Sequence, residues 1–104
     1  MQSVLDNLFI ALKARQGADP TSSYTAQLLA DAPARPARKL AEEAVETLIA
    51  ALQEDRDAVI AESADVLYHL LVVLVGAEVD LKEVYAELEK REGMSGLAEK
   101  AARP

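Results

Sequence analysis

The chain contains no cysteine and no tryptophan, one histidine and one phenylalanine, and only four glycines and four prolines in 104 residues. Without cysteine there is no disulfide framework and no thiolate metal site, and secretion gains no support. With aromatics at 4%, alanine, leucine and valine must fill the core, a composition that suits helices. No alternating β-branched run competes with that reading. Positive charge is also scarce: eleven basic residues face eighteen acids, giving a formal charge of −7. That balance argues against nucleic acid or an anionic membrane as partner, and leaves a metal as the route to binding an anionic substrate. Residues 1–13 lack a basic stretch followed by a long apolar core, so no signal peptide is expected. The apolar run Leu70–Val75 is far too short for a membrane span. The expectation is one all-α domain over residues 1–104, in the cytoplasm.

Helical spacing organises what remains. Residues 3–15 place Val4, Leu5, Leu8, Phe9 and Leu12 on one stripe, with Ser3 as N-cap and Gly17 as stop. A loop over 18–23 leads to a short helix over 24–30, before the Pro33 and Pro36 punctuation. A second long helix is expected from Pro36 to about Glu54, and a third from about Asp57 to Ala77, ending near Gly76. Asp80 caps a fourth, with Glu83 completing a variant capping box and Gly93 ending it. The tail, about 94–104, is expected to be flexible or to add one helical turn. The architecture expected is a four-helix, up-and-down domain.

Two acidic couplets stand out, Glu43-Ala-Val-Glu46 and Glu62-Ser-Ala-Asp65. Spacing of three puts both members of a couplet on one helix face, so two such helices packed side by side aim four carboxylates at one point. The first couplet alone reads as the solvated face of an amphipathic helix, because Lys39, Glu42, Glu43 and Glu46 share an arc opposite Leu40, Ala44, Val45 and Leu48. The second does not. From Val66 to Ala77 no residue carries a formal charge, and apolar residues point in nearly every direction, as on a buried helix. Glu62, Asp65 and His69 form its only polar line. Buried carboxylates need partners or a metal, and no lysine or arginine lies between Arg56 and Lys82. An oxygen-only donor set suits a hard divalent cation, and Mg²⁺ tends to accompany a phosphate-bearing substrate. Such a helix apolar all round also exceeds what three modest neighbours can cover, so a homodimer is expected.

Other chemistries fail on ligand count. A di-iron bundle needs Glu-x-x-His on two helices, and His69 is alone. No Gly-x-Ser-x-Gly, no glycine-rich phosphate loop and no Cys/His pair is present. A small helical dimerisation module remains as a non-enzymatic alternative, although it would not need Glu62 and Asp65 inside an apolar helix.

The couplets, as they stand here, resemble the signature of the all-α nucleoside triphosphate pyrophosphohydrolases. Within that superfamily the chain is similar to the phosphoribosyl-ATP pyrophosphohydrolase family, which acts at the second step of histidine biosynthesis. Four stretches carry the likeness: 19–25 (Asp-Pro-Thr-Ser-Ser-Tyr-Thr), 39–46 (Lys-Leu-Ala-Glu-Glu-Ala-Val-Glu), 62–70 (Glu-Ser-Ala-Asp-Val-Leu-Tyr-His-Leu) and 95–101 (Ser-Gly-Leu-Ala-Glu-Lys-Ala). Glu92 and Ala102 depart from the family pattern, outside the acidic site. The resemblance implies hydrolysis of the α,β phosphoanhydride of phosphoribosyl-ATP, a nucleotide substrate, with release of pyrophosphate. It implies Mg²⁺, or Mn²⁺, held by Glu43, Glu46, Glu62 and Asp65, with Glu42 supporting the site or activating water. It implies substrate contacts from Ser23, Tyr24, Thr25, Lys39 and Lys100. A house-cleaning pyrophosphohydrolase of the same superfamily is the alternative enzyme. Fused relatives carry a cyclohydrolase with a Cys/His zinc site, which nothing here could form, so the stand-alone form is expected.

Overall fold

The computed structural model describes residues 2–92, 100 and 103. Every regular element among them is a helix: α1 Val4–Lys13, α2 Tyr24–Ala30, α3 Ala34–Leu52, α4 Arg56–Gly76 and α5 Leu81–Arg91. The expected all-α class is what forms, as four longer helices with the short α2 between the first two. The expected stop at Gly93 and the tail from 94 onward lie outside the described residues, apart from Lys100, which is exposed, and Arg103.

Local chemistry sets the helix ends. Ser3 and Asp6 form a reciprocal capping box on α1, and Asp80 and Glu83 form another on α5; each satisfies two amide donors that a bare helix start leaves unpaired. Ser23 caps α2 through the Ala26 amide, and Asp55 caps α4 through the Ala58 amide. Helix α3 begins two residues before Pro36, which sits buried inside the first turn. A proline is tolerated there because its missing N–H would have had no intrahelical partner. Neither α3 nor α4 closes on a glycine. Glu54 and Glu78 take the left-handed conformation at φ 56° and 60°, and the next amide in each case reaches back to a helical carbonyl, Asp55 to Ala50 and Val79 to Leu74. These are Schellman closures built on glutamate. Gly76 serves packing instead, since a Cβ there would lie 3.0 Å from the Ala32 Cβ. Its bare backbone lets the α2–α3 link press against the end of α4.

The three-residue connection 53–55 folds α3 back along α4, and this hairpin is the dominant helix pairing. Helices α1 and α2 pack on α4. The core gathers there: Phe9, Leu12, Leu28, Leu71, Val72, Val75 and Leu81 form one buried cluster. The uniform burial expected for α4 is confined to its C-terminal half, where His69, Leu71, Val72 and Val75 are buried, while Ile60 and Leu67 remain 55% and 43% exposed. In the N-terminal half the covering is partial: Ala58, Val59, Glu62, Ser63 and Val66 are half-buried. By length and composition alone α4 could cross a bilayer, which the six-residue run considered by itself did not suggest. The carboxylates in its middle and its packing on three other helices place it in a bundle.

Candidate functional site

The α3–α4 pairing brings the two couplets face to face. Carboxylate oxygens of Glu43, Glu62 and Asp65 lie within 4.8 Å of one another, with Glu43 and Glu62 half-buried and Asp65 exposed. Glu46, one turn beyond Glu43, is exposed and interacts with Glu62. The Oε2 atoms of both Glu43 and Glu62 are buried without a hydrogen-bond donor. Carboxylates only accept, so such atoms are costly unless a proton or a cation joins them.

That cost is visible on Glu62. Burial, then hydrogen bonding and like charge from Glu46 and Glu43, push its carboxyl from 4.5 up to about 7. A proton shared among these carboxyls is the metal-free solution to the repulsion. The consequence for stability has a definite sign. Because the folded state holds this proton more tightly than the unfolded chain, the Glu62 contribution is fully present below about pH 4.5 and is lost as pH rises through about 7. Asp6 and Asp19 act oppositely: hydrogen bonds from Ser3 and Thr21 hold both below 3.8, so their contributions fade only in strong acid. Melting curves of chelated protein should therefore show a falling melting temperature between about pH 5 and pH 8, and Glu62→Gln should flatten that slope. A slope unchanged by Glu62→Gln would place the shared proton elsewhere.

The remaining expected residues are placed as follows. Lys39 lies one turn before the first couplet, but its ammonium is bound to Glu42, with Nζ to Oε2 at 3.1 Å, not to Glu43. That hydrogen bond, with added attraction from Tyr24 and Glu43, raises the Lys39 pKa. Glu42 is exposed and outside the converging trio. Tyr24 is 46% exposed and bridges the helices, close enough to Lys39 on α3 to act on its charge and edge-on to the His69 ring of α4 with centroids 6.5 Å apart. Ser23 is occupied as the α2 cap. Thr25 is buried, its hydroxyl bonded to the Tyr68 hydroxyl across 43 positions of sequence. Lys100 is exposed, and its carbonyl accepts from the Arg103 amide. The Thr25–Tyr68–His69 arrangement was not legible beforehand; the polar line on α4 pointed at His69, but nothing in the sequence pairs Tyr68 with Thr25.

Grooves of about 310 and 650 Å³ flank α1 and α5, lined by residues such as Phe9, Lys13, Asp80, Leu81 and Tyr85. Neither includes a member of the acidic cluster. Among the described residues the carboxylates that converge closely enough to hold a cation are those of the α3–α4 face, so the chemistry points there.

Comparison with known proteins identifies the family. Residues 5–92 match the family described as phosphoribosyl-ATP pyrophosphohydrolase. Similar proteins named phosphoribosyl-ATP pyrophosphatase include one from Cereibacter sphaeroides, 57% identical over 97% of this chain and 98% of its own length. Another, from Parvibaculum lavamentivorans, is 58% identical over 97% and 93%. A third, from Methylobacterium nodulans, is 60% identical over 88% and 86%.

Proposed function

This chain belongs to the phosphoribosyl-ATP pyrophosphohydrolase family, and from that premise we propose that it hydrolyses phosphoribosyl-ATP to phosphoribosyl-AMP and pyrophosphate, the second step of histidine biosynthesis. We assign the reaction to the cluster of Glu43, Glu46, Glu62 and Asp65, in a cytoplasmic enzyme that acts on a nucleotide. The observation that carries this placement is the pair of buried, donorless oxygens on Glu43 and Glu62. Carboxylates are kept in such a position where a cation completes them. All four donors are hard oxygens, which favour Mg²⁺ or Mn²⁺ over zinc. When bound, such an ion neutralises phosphate charge and lowers the pKa of water.

The chain's own residues do the rest. Glu43 and Glu62 are held in place by the α3–α4 packing before any ligand arrives, so little ordering remains at the moment of reaction. Lys39 is close enough to the cluster to feel the charge of Glu43, and Glu42 holds it ready. A phosphate entering from the solvent side competes for that ammonium; as the pair exchanges, Lys39 meets the phosphate as a point charge and Glu42 is freed toward the attacking water. Ser23 and Thr25 act on position, one by capping α2 and the other by tying it to Tyr68, and Tyr24 forms a wall between the helices. Lys100 is a surface cation available to an anionic substrate.

We propose further that the enzyme is a homodimer. In one chain Glu46 and Asp65 of the acidic cluster are exposed, and beside them the α3–α4 hairpin exposes Val45, Leu48, Ile49, Leu52, Ile60 and Leu67. A patch of that kind marks an association surface, and a second copy seated on it would also enclose the site.

The test is a pyrophosphate assay on phosphoribosyl-ATP beside the ordinary nucleoside triphosphates, with Mg²⁺, with Mn²⁺ and after exhaustive chelation. Pyrophosphate, not orthophosphate, should appear from phosphoribosyl-ATP, and chelation should reduce the rate at least ~100-fold, in line with the several kcal/mol that metal neutralisation of phosphoryl charge contributes. Full activity in chelator would remove the metal from the reaction. Preference for an ordinary triphosphate would reassign the enzyme to a house-cleaning role.

A further inference from the structure

One buried polar atom is used neither by the fold nor by the site as assigned above. His69 is 5% exposed, and its Nε2 has no hydrogen-bond partner. Its other nitrogen is engaged: Nδ1 lies 2.8 Å from the Asp65 carbonyl oxygen. A carbonyl only accepts, so Nδ1 carries the hydrogen, and on the neutral ring Nε2 is left as an acceptor with a fixed direction. Two aromatic rings stand edge-on to the imidazole, Tyr68 with centroids 4.9 Å apart and Tyr24 at 6.5 Å. Tyr68 is anchored by Thr25. Tyr24, half exposed, is the outer of the two. An unsatisfied buried acceptor destabilises a fold, and native proteins rarely keep one without a partner that arrives later.

We infer that His69 Nε2 is the acceptor for a ribose hydroxyl of the nucleotide whose phosphates lie at the acidic cluster. The inference rests on the functional reading above and adds a residue to it. The partner must be a hydrogen donor, which excludes the phosphate oxygens and leaves the sugar hydroxyls and the base amino group. Position chooses between these. His69 stands on the same face of α4 as Glu62 and Asp65, one turn or ~6 Å beyond Asp65, and the ribose is the group joined directly to the α-phosphate. The base lies a ring further on. Tyr24, 46% exposed and edge-on to the imidazole, can change rotamer on ligand entry. The hydrogen bond from Nδ1 to the Asp65 backbone carbonyl fixes the ring on α4, the helix that also carries Glu62 and Asp65.

Two substitutions separate the nitrogens. In His69→Asn the side-chain amide reproduces Nδ1 and loses Nε2; in His69→Gln a polar atom is restored near Nε2. With phosphoribosyl-ATP, His69→Asn should raise KM at least ~10-fold with kcat within ~3-fold, and His69→Gln should recover most of that loss, a ~10-fold change being what one hydrogen bond in a binding site is worth. The second arm uses substrates lacking the 2′- or 3′-hydroxyl of the ATP ribose. One of them should raise the KM of the unaltered enzyme by a similar factor and that of His69→Asn hardly at all, because both changes remove the same interaction. Melting curves of all variants report folding separately. Additive effects of deoxy substrate and His69→Asn, or unchanged KM in His69→Asn, would overturn the inference while leaving the pyrophosphohydrolase reading intact. Equal loss in both variants accompanied by a lowered melting temperature would also overturn it, reducing His69 to a packing residue. Absence of pyrophosphate release by the unaltered enzyme would instead remove the functional reading, and this inference with it.

Discussion

Glu62→Gln and Asp65→Asn should each abolish turnover and yet leave the metal-free protein as stable as before, or more so. The two halves of that expectation come from one arrangement. Oxygens of Glu43, Glu62 and Asp65 lie within 4.8 Å, and the Glu62 carboxyl is driven up to about 7 by burial and its acidic neighbours. Without a cation these side chains oppose one another, so neutralising one relieves the fold. With a cation the same neutralisation removes a ligand. Residues that merely orient a metal's ligands are worth ~10–100-fold, so loss of a ligand itself should cost at least ~100-fold in kcat. Carboxylates that served as caps or salt-bridge partners would behave oppositely: removal would lower stability and spare turnover. Asp80 provides that contrast within the same chain, because it caps α5 and lies outside the cluster. Asp80→Ala should lower the melting temperature, at a cost of ~1 kcal/mol, with kcat preserved. Thermal melts in Mg²⁺ and in chelator, beside a pyrophosphate assay, measure both halves. Melting temperatures that drop in chelator for Glu62→Gln, with turnover retained, would sink the catalytic assignment. A useful internal check is the metal response itself: Mg²⁺ should raise the melting temperature of the unaltered protein and lose that effect in Asp65→Asn.

Much of this arrangement could be read from sequence because it rests on local rules. The Ser3 cap and the Asp80–Glu83 box are signals whose chemistry is complete within one turn. The couplets likewise needed only helical spacing to put Glu43 with Glu46 and Glu62 with Asp65. What spacing cannot supply is how one helix lies against another. Lys39 could have paired with either glutamate beside it, and it chose Glu42, which leaves the Glu43 carboxylate to turn inward toward Glu62. The Thr25–Tyr68 bond joins residues 43 apart and has no local signature at all. The burial of α4 failed for a related reason: apolarity states that a residue would gain by being covered, and says nothing of whether its own chain covers it. Leu71 and Val72 are covered, at 2% and 0% exposed, whereas Ile60 is not.

That uncovered surface leads to the second large effect, on assembly. Val45 is three and four residues before Leu48 and Ile49, and Leu52 is four and three after them, which makes them a single stripe on α3, and all four are exposed; Ile60 and Leu67 extend the patch along α4. A charge placed in the middle of this stripe, Leu48→Asp, should weaken self-association at least ~30-fold, the equivalent of ~2 kcal/mol, as for central residues of an apolar interface. In the dimer proposed above, the introduced carboxylate would be taken out of water among apolar side chains, which is costly. Equally apolar positions elsewhere are the controls. Val4 on α1 is 81% exposed and Leu88 on α5 is 60% exposed, so exposure alone would rank Val4 ahead of Leu48. Val4→Asp and Leu88→Asp should nevertheless leave the dimer intact, because neither belongs to the α3–α4 stripe. Sedimentation across a concentration series, with melting temperatures at each concentration, reads the result: a dimer's stability rises with protein concentration and a monomer's does not. An unaltered chain that sediments as a folded monomer at micromolar concentration, melting independently of concentration, would exclude the assembly, and the acidic cluster would then have to work without a second copy to enclose it.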